Sequence, residues 1–495
     1  MSVNKENIKI ILGLKLKQAR KEQKLSLAKL SEKSGLSISY LNEIEKGKKY
    51  PKPEKIHALS TALGLNFDEL VSLKLEKRLS PLSTLIKSDI LNDLPLNFFG
   101  IDSKKLVNLL AEAPIRVNAF ISAILEIARD HQLNQEHFYY SALRAYQELH
   151  LNYFEDLENS VASCLRTYGL NKKGVKSAEL KKVLQDHFNY TFKEIDLKEH
   201  TNLYSLRSAL KPGEVNTLYT NPTLQESQMR FILGREIAFN FLKIKERPYT
   251  FSHHKATNFD EVLNNFKASY FAIALLINQD DLHQDLEKFF SNNTFNPKGI
   301  EDLVAKYNVS PEMLFQRMTN ILPKKMGLKN LFFLRFNNKD HSDYYTLNKE
   351  LHLNKLHNPH GNKLEEHYCR RWITIEVLEE LNKKQVEQKE NSNIIMAQRS
   401  SYVDSDNEYL CISIARSMYP TPNSNSSVTI GLLVNDKLKK SIAFLNDEKI
   451  STKKVNATCE RCDLTDCKER AAEASIVLEK RKQKVIEIEI NELLN

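Results

Sequence analysis

Glycine and proline are scarce in this chain, 13 and 14 in 495 residues, which argues against low-complexity, collagen-like or turn-dense all-β architectures and for a helix-rich protein. Long apolar runs are missing as well. The longest clean one, Tyr270–Ile277, falls far short of the ~20 residues that a membrane-spanning helix needs, and Met1–Asn7 leads directly into a charged amphipathic helix with no secretory h-region. The expectation is a cytoplasmic protein without a membrane partner. The six cysteines (Cys164, Cys369, Cys411, Cys459, Cys462 and Cys467) are too few for a disulfide scaffold; in a reducing compartment, clustered thiols point to metal or redox chemistry.

What remains is a chain of ordinary globular composition, 41% hydrophobic and 27% charged, long enough for two to four domains. Its formal net charge of +9 is unevenly spread, because residues 1–80 hold 17 Lys+Arg against 9 Asp+Glu. The excess coincides with a two-helix pattern. Ser26 is an N-cap, Leu27 and Leu30 face inward, Gly35 ends the first helix, and Ser37 caps a second carrying Leu41 and Ile44. A helix-turn-helix is the expected result, with the second helix presenting Ser37, Ser39, Tyr40 and Asn42 to base edges and phosphates. Lys46, Lys48, Lys49 and Lys52 are point charges suited to neutralising a phosphate backbone. Together with Ser26 these residues form the expected DNA-binding set, and double-stranded DNA the expected partner.

Five short helices are expected over 8–75, with a helix ending at Gly64 and a last one capped near Asn66. The spacing of Leu30, Ser34-Gly35-Leu36-Ser37, Tyr40-Leu41, Ile44-Glu45 and Gly47 resembles that of the Xre family, whose DNA-binding domain has the lambda-repressor-like fold. Leu27 departs from that pattern, since many relatives carry Gln there, and this shifts the expected phosphate grip toward Lys46–Lys52.

Amphipathic helical patterns fill 79–168, a linker and candidate dimerisation region. From 170 to 325 the order is mixed: an extended stretch at 216–221, helices at 225–244 and 264–277, and a capped helix beginning at Ser310. This order resembles the ImmA/IrrE zinc-peptidase-like domain, in which a His-Glu-x-x-His helix and a later acidic residue hold zinc. On that resemblance the three ligand positions fall on Arg235, Phe239 and Asn265, with Glu236 retained. Guanidinium, benzyl and amide groups do not hold zinc, so no catalytic residue is expected and the domain reads as a pseudoenzyme. Arg235 then becomes either an ion-pair partner of Glu236 or part of a reshaped ligand pocket. The element VSPEMLFQRMTN looks like a second helix-turn-helix in miniature but is expected to pack beside the 225–244 helix.

Beyond 328 the texture turns to β, with alternating runs at 330–336, 343–348, 370–378, 393–403, 409–418 and 428–435. A mixed-sheet, sensor-like domain over 328–495 is expected, so the whole is a multidomain, mainly α protein with an α+β C-terminal part. Its densest motif is Cys459-x2-Cys462-x4-Cys467. Three thiolates at this spacing can converge on one ion if a fourth ligand comes from elsewhere, and Cys369 is the choice; Cys411, in an apolar strand, reads as a buried hydrophobe. Zinc is the default, an iron–sulfur cluster or free thiols the alternatives.

The Xre-like domain, the ligand-stripped middle, the VSPEMLFQRMTN element, the Cys369-Arg370-Arg371-Trp372 stretch and the terminal cysteines, in that order, resemble the short-chain fatty acyl transcriptional regulators. Relatives usually carry Cys-Pro before the Trp. The resemblance implies a dimeric, sequence-specific transcriptional regulator controlled by a small metabolite such as a short-chain acyl-CoA. The rival expectations are a metallopeptidase that cleaves a repressor and a redox or iron–sulfur sensor.

Overall fold

The structure is a computed structural model describing residues 5–72, 135–171, 174–251, 256–339, 342–353, 366–387, 392–403, 405–418, 420–421 and 423–494. The expected linker and dimerisation segment therefore lies outside the described residues as far as 134.

The N-terminal domain is five helices, α1 (Lys5–Glu22), α2 (Leu27–Ser34), α3 (Ile38–Glu45), α4 (Pro53–Leu63) and α5 (Phe67–Val71). Each boundary has a local cause. Ser26, Ser37 and Asn66 accept hydrogen bonds from backbone amides two or three residues on, while Gly35 and Gly64 close α2 and α4 in the left-handed conformation, at φ of 68° and 60°. The inward stripes of Leu12, Leu16, Leu30, Leu41, Ile44, Ile56, Leu59, Leu63 and Leu70 form one small core, each side chain contributing about 1.5–3 kcal/mol on burial.

The rest of the described chain begins with helices α6 (Gln135–Leu149), α7 (Glu155–Thr167) and α8 (Ser177–Phe188). A four-stranded sheet of β1 (Tyr190–Glu194), β2 (Ser208–Lys211), β3 (Asn216–Thr220) and β4 (Thr250–Phe251) follows, in the order β1-β3-β2-β4, with only β1 and β3 parallel. Helices α9 (Glu226–Phe241), α10 (Phe259–Leu276), α11 (Gln279–Phe290), α12 (Pro297–Tyr307) and α13 (Pro311–Ile321) complete the middle. α13 starts at the expected cap, with Ser310 Oγ accepting from the Met313 amide at 3.2 Å. It is buried at Met313, Leu314, Phe315, Arg317 and Met318, so it has no face to offer a nucleic acid, and Arg230 of α9 donates to the Tyr307 and Asn308 carbonyls just before it.

The C-terminal part is a six-stranded sheet of β5 (Leu331–Lys339), β6 (Tyr345–His352), β7 (Ile394–Tyr402), β8 (Glu408–Ser417), β9 (Ser424–Leu433) and β10 (Ser451–Val455). Its order is β10-β7-β8-β9-β5-β6, antiparallel except for β10 on β7. Period-two alternation sends Phe333, Ile412, Ile414, Val428 and Ile430 to one face, where they share a core with the helices of the middle. Phe332, Phe336, Tyr409 and Cys411 go to the other face, under helix α14 (Ile373–Glu387). The change of texture near 325–328 thus marks a change of element type within one continuous core.

The run 370–378, expected as a strand, is the start of α14. Ile373, Ile375, Val377, Leu378 and Leu381 are all buried, and the apolar run continues at helical spacing into the polar sequence that follows; a short β-branched run does not separate strand from buried helix. Helix α15 (Asp436–Ser441) leads toward β10, and the terminal stretch forms helix α16 (Ser475–Leu494).

Candidate nucleic-acid interface and internal sites

α3 is held from behind. Glu45, 5% exposed, takes a bidentate grip from Arg20 of α1 (Nε to Oε1 2.7 Å, Nη2 to Oε2 2.9 Å), and Arg20 Nη1 donates to the Leu25 carbonyl at 2.8 Å. Gly13 of α1 lies so close that a Cβ there would sit 2.3 Å from the Ile44 carbonyl oxygen. An ion pair and a glycine contact therefore set the pose of the second helix, and neither was read from the sequence.

Its outer face is open. Ser26, Ser37, Ser39, Lys46, Lys48, Lys49 and Lys52 are exposed and Tyr40 and Asn42 half-buried. The Ser26 and Ser37 hydroxyls accept the capping amides of Lys29 (3.1 Å) and Tyr40 (3.2 Å), which leaves each O–H proton able to donate to a phosphate. Tyr40 organises the lysines: its ring lies under Lys55 Nζ at 4.3 Å and Lys49 Nζ at 5.7 Å. Lys49 also meets Glu43 at 2.8 Å; that hydrogen bond raises the lysine above its ordinary value and lowers the carboxylate. Lys49 is thus partly neutralised in place, and Lys46, Lys48 and Lys52 are the stronger phosphate candidates. Two further residues join the surface. Ile38, 49% exposed in the first turn of α3, is an apolar side chain of the kind that reads a thymine methyl, and Lys55 is placed by Tyr40. An isoleucine at helical spacing gives no sign in sequence of which side it takes.

The second site lies on α9. Arg235 and Asn265, from α9 and α10, are in direct contact, Arg235 Nη2 donating to Asn265 Oδ1; Phe239 is near, 5.5 Å from ring centroid to the Arg235 guanidinium carbon. The three positions matched to metal ligands therefore come together in space, occupied by Arg, Phe and Asn. The ion pair expected between Arg235 and Glu236 does not form, because adjacent helical residues point apart. Glu236, 4% exposed, pairs with Arg247 at 2.6 Å and accepts the Tyr190 hydroxyl at 2.9 Å, while burial pushes the Tyr190 phenol well above its ordinary value. Both carboxylate oxygens of Glu236 are thus engaged within the domain.

The third site is the cysteine loop. An antiparallel bridge joins Tyr368 to Thr458, the Cys369 amide donates to the Ala457 carbonyl at 3.2 Å, and the Cys459 amide to the His367 carbonyl at 2.8 Å. Cys369, distant in sequence, is thereby placed beside the 459–467 loop; Cys369, Cys459 and Cys462 are buried and Cys467 half-buried. Arg470 ties the loop together, donating to the carbonyls of Cys459 (2.8 Å), Cys462 (3.0 Å) and Leu464 (2.5 Å). Burial pushes the Cys369 thiol up to about 11. Among the described residues no three or more His, Cys, Asp or Glu side chains are disposed to hold a metal ion. Cys411 is buried in β8, as expected of a small hydrophobe. No helix among the described residues is long and apolar enough to cross a membrane.

Known proteins resemble the chain in the same two places. Residues 16–70 match the helix-turn-helix family and residues 186–319 the IrrE N-terminal-like domain. The immunity repressor protein of Bacillus phage phi105 is 38% identical over 60 residues, 12% of this chain and 42% of that protein. The transcriptional regulator ClgR of Mycobacterium tuberculosis is 38% identical over 58 residues, 12% of this chain and 52% of that protein. The chain thus spans about half the length of these curated relatives, or less. A solved Mycobacterium tuberculosis transcriptional regulator aligns over 67% of this chain and 93% of its own at 16% identity and a TM-score of 0.47, a likeness too low to carry an argument. Residues 16–70 of the chain are an Xre-type helix-turn-helix domain, and residues 186–319 an IrrE N-terminal-like domain.

Proposed function

We propose that the chain is a sequence-specific DNA-binding transcriptional regulator, acting as a homodimer on paired half-sites and controlled by a small metabolite such as a short-chain acyl-CoA, in the manner of the short-chain fatty acyl transcriptional regulators it resembles. The observation that supports the DNA reading is the open face of α3, where Ile38, Ser39 and Asn42 lie among Lys46, Lys48 and Lys52 on a helix seated by the Arg20–Glu45 pair, the composition expected of a recognition helix. The regulator relatives that match this segment support it. Two-fold pairing of half-sites is the usual geometry of such domains and motivates the dimer. A cytoplasmic setting goes with this role.

The IrrE-like domain acts in this reading as a non-catalytic sensor body, since Arg235, Phe239 and Asn265 stand at the ligand positions and Glu236 is tied to Arg247. In this reading Cys369, Cys459, Cys462 and Cys467 are the donors that a metal would gather, zinc by default and an iron–sulfur cluster as the redox alternative. The donor chemistry fits, and the backbone tie between residues 367–369 and 457–459 supports counting Cys369 among the donors; the thiol side chains would have to turn toward one another to hold an ion, since no three of them are so disposed. Such a group would cross-link the terminal loop to α14.

Capture of genomic fragments on the purified protein, followed by footprinting, tests the DNA reading. A short, two-fold symmetric protected sequence is the expected result; uniform affinity for all fragments, with no enriched sequence, would refute it. Metal content and the visible spectrum of anaerobically purified protein, with and without the four cysteines, distinguish zinc, an iron–sulfur cluster and free thiols.

A further inference from the structure

A train of arginines runs from the buried Arg235 of the α9 site through the half-buried Arg207 to the half-buried Arg335 and Arg416 of the six-stranded sheet. Arg235, 3% exposed, leaves its buried Nε without a hydrogen-bond acceptor, and its guanidinium carbon lies 4.4 Å from the centroid of the Phe251 ring. The same ring takes Arg207 at 5.2 Å. Arg207, immediately before β2, reaches a narrow pocket whose other polar walls are Glu312, Arg335, Arg416 and Ser426, with Val428 among its apolar ones.

Sheet alternation explains the pocket. Ile414 and Val428 are opposite one another on the core-facing side of β8 and β9; two residues further along that face come Arg416 and Ser426, also opposite one another, while Arg335 of β5 faces Val428. The apolar face thus ends in a cationic edge, and the first turn of α13 meets that edge through Glu312.

Among the described lining residues, three guanidiniums accompany one carboxylate. That carboxylate, Glu312, is already held by Arg335 Nη1 at 3.0 Å and Lys349 Nζ at 2.6 Å; against the opposing effect of burial, these cations hold it far below the ordinary carboxylate range. Among the described residues the Arg207 guanidinium donates to no acceptor. Burial lowers it to about 10, and the like charges of Arg335 and Arg416 act in the same direction against Glu312. A half-buried guanidinium with no acceptor among the described residues keeps its donors to offer, and its planar fork matches the two oxygens of a carboxylate or phosphate.

We propose that the pocket between Arg207, Arg335 and Glu312 is a receptor for the oxyanion head, carboxylate or phosphate, of a small metabolite, with Arg207 as the gripping fork and Arg235 reinforcing its field from behind Phe251. The site is too narrow for more than the head of a ligand, leaving any larger body outside. It joins β2 of the small sheet to β5 and β8 of the large one, so an anion there pins the two sheets together. The inference rests on the reading that a small metabolite controls this chain, and it names where the charged end of that metabolite sits.

Calorimetric titration of the full-length protein with inorganic phosphate, pyrophosphate, propionate and succinate, at constant ionic strength in chloride, tests it. The expected result is saturable binding of at least one oxyanion, weakened about tenfold or more by Arg207→Gln, less by Arg207→Lys, and unchanged by Lys193→Gln on an exposed strand position. Phosphate and carboxylate arms identify which head group is taken. Where Arg207→Gln unfolds, the wild-type melting temperature serves instead: it rises with oxyanion and not with chloride, and this rise shrinks in folded Arg207→Lys. The proposal is overturned if no oxyanion binds better than chloride, or if Arg207→Gln stays folded and binds as well as wild type. Operator binding by the same variants, measured without anion, keeps the two readings apart, since normal operator binding with no oxyanion binding removes the receptor alone.

Discussion

Lys46, Lys48, Lys49 and Lys52 of the helix-turn-helix domain are all exposed, whereas Arg230, Arg235, Arg247 and Arg317 of the body are 2%, 3%, 9% and 0% exposed. The two regions carry the same sign of charge and use it in opposite ways. An ammonium on a flexible stem stays hydrated and serves a polyanion that arrives from solvent; a guanidinium tolerates burial when its fork meets fixed acceptors. Arg317 is the clearest internal case. It clasps Glu158 (Nη1 to Oε1 2.5 Å, Nη2 to Oε2 2.9 Å) and donates to the Ile277 carbonyl, while the Tyr270 hydroxyl donates to the same Glu158, so α7, α10 and α13 meet at one buried salt bridge.

Removing an internal partner is the sharpest way to test the contrast. Arg317→Met leaves Glu158 charged and buried, and urea denaturation should show a loss of about 3–5 kcal/mol; adding Glu158→Gln should recover part of it. If the single variant is as stable as wild type, the internal arginines are no more structural than the surface lysines. Next in size is Gly13→Ala, whose new methyl meets the Ile44 carbonyl oxygen. It should cost about 1–3 kcal/mol of domain stability and weaken all DNA, because the seat of α3 shifts as a whole. At the surface the effects turn from stability to recognition. Asn42→Ala should cost about 1–3 kcal/mol at one base pair and relax specificity there, with the melting temperature unmoved. Smallest is Lys48→Ala, which should weaken every sequence about equally and reduce the salt slope by about one. Sequence-dependent losses from Lys48→Ala would show that the surface lysines do more than neutralise phosphates.

The contrast also governs what could be read without coordinates. The N-terminal domain was legible almost residue by residue, because caps, glycine stops and inward leucines are local signals: Ser26, Gly35, Ser37, Gly64 and Asn66 all do what their types imply. The body was legible in its order of elements, and the meeting of Arg235 with Asn265 followed from matching helices. Its pairings were not legible. Arg247 as the partner of Glu236, Arg317 as that of Glu158 and Arg470 as the clasp of the cysteine loop depend on contacts that residue types alone do not specify. The strand expected at 370–378 failed for a related reason: buried on one side by the sheet, α14 begins with the β-branched residues that a strand would also use.

The seat of α3 has one more consequence. Gly13, Arg20 and Glu45 hold the helix by its back and its C-terminal end, and none of them faces outward with Ile38, Ser39 and Asn42. On the proposed DNA reading, orientation and sequence preference are therefore written in separate residues. Such a domain can change its target by replacing two or three outward side chains while its fold and approach to DNA stay fixed, so paralogues could diverge in the genes they address without passing through an unstable intermediate.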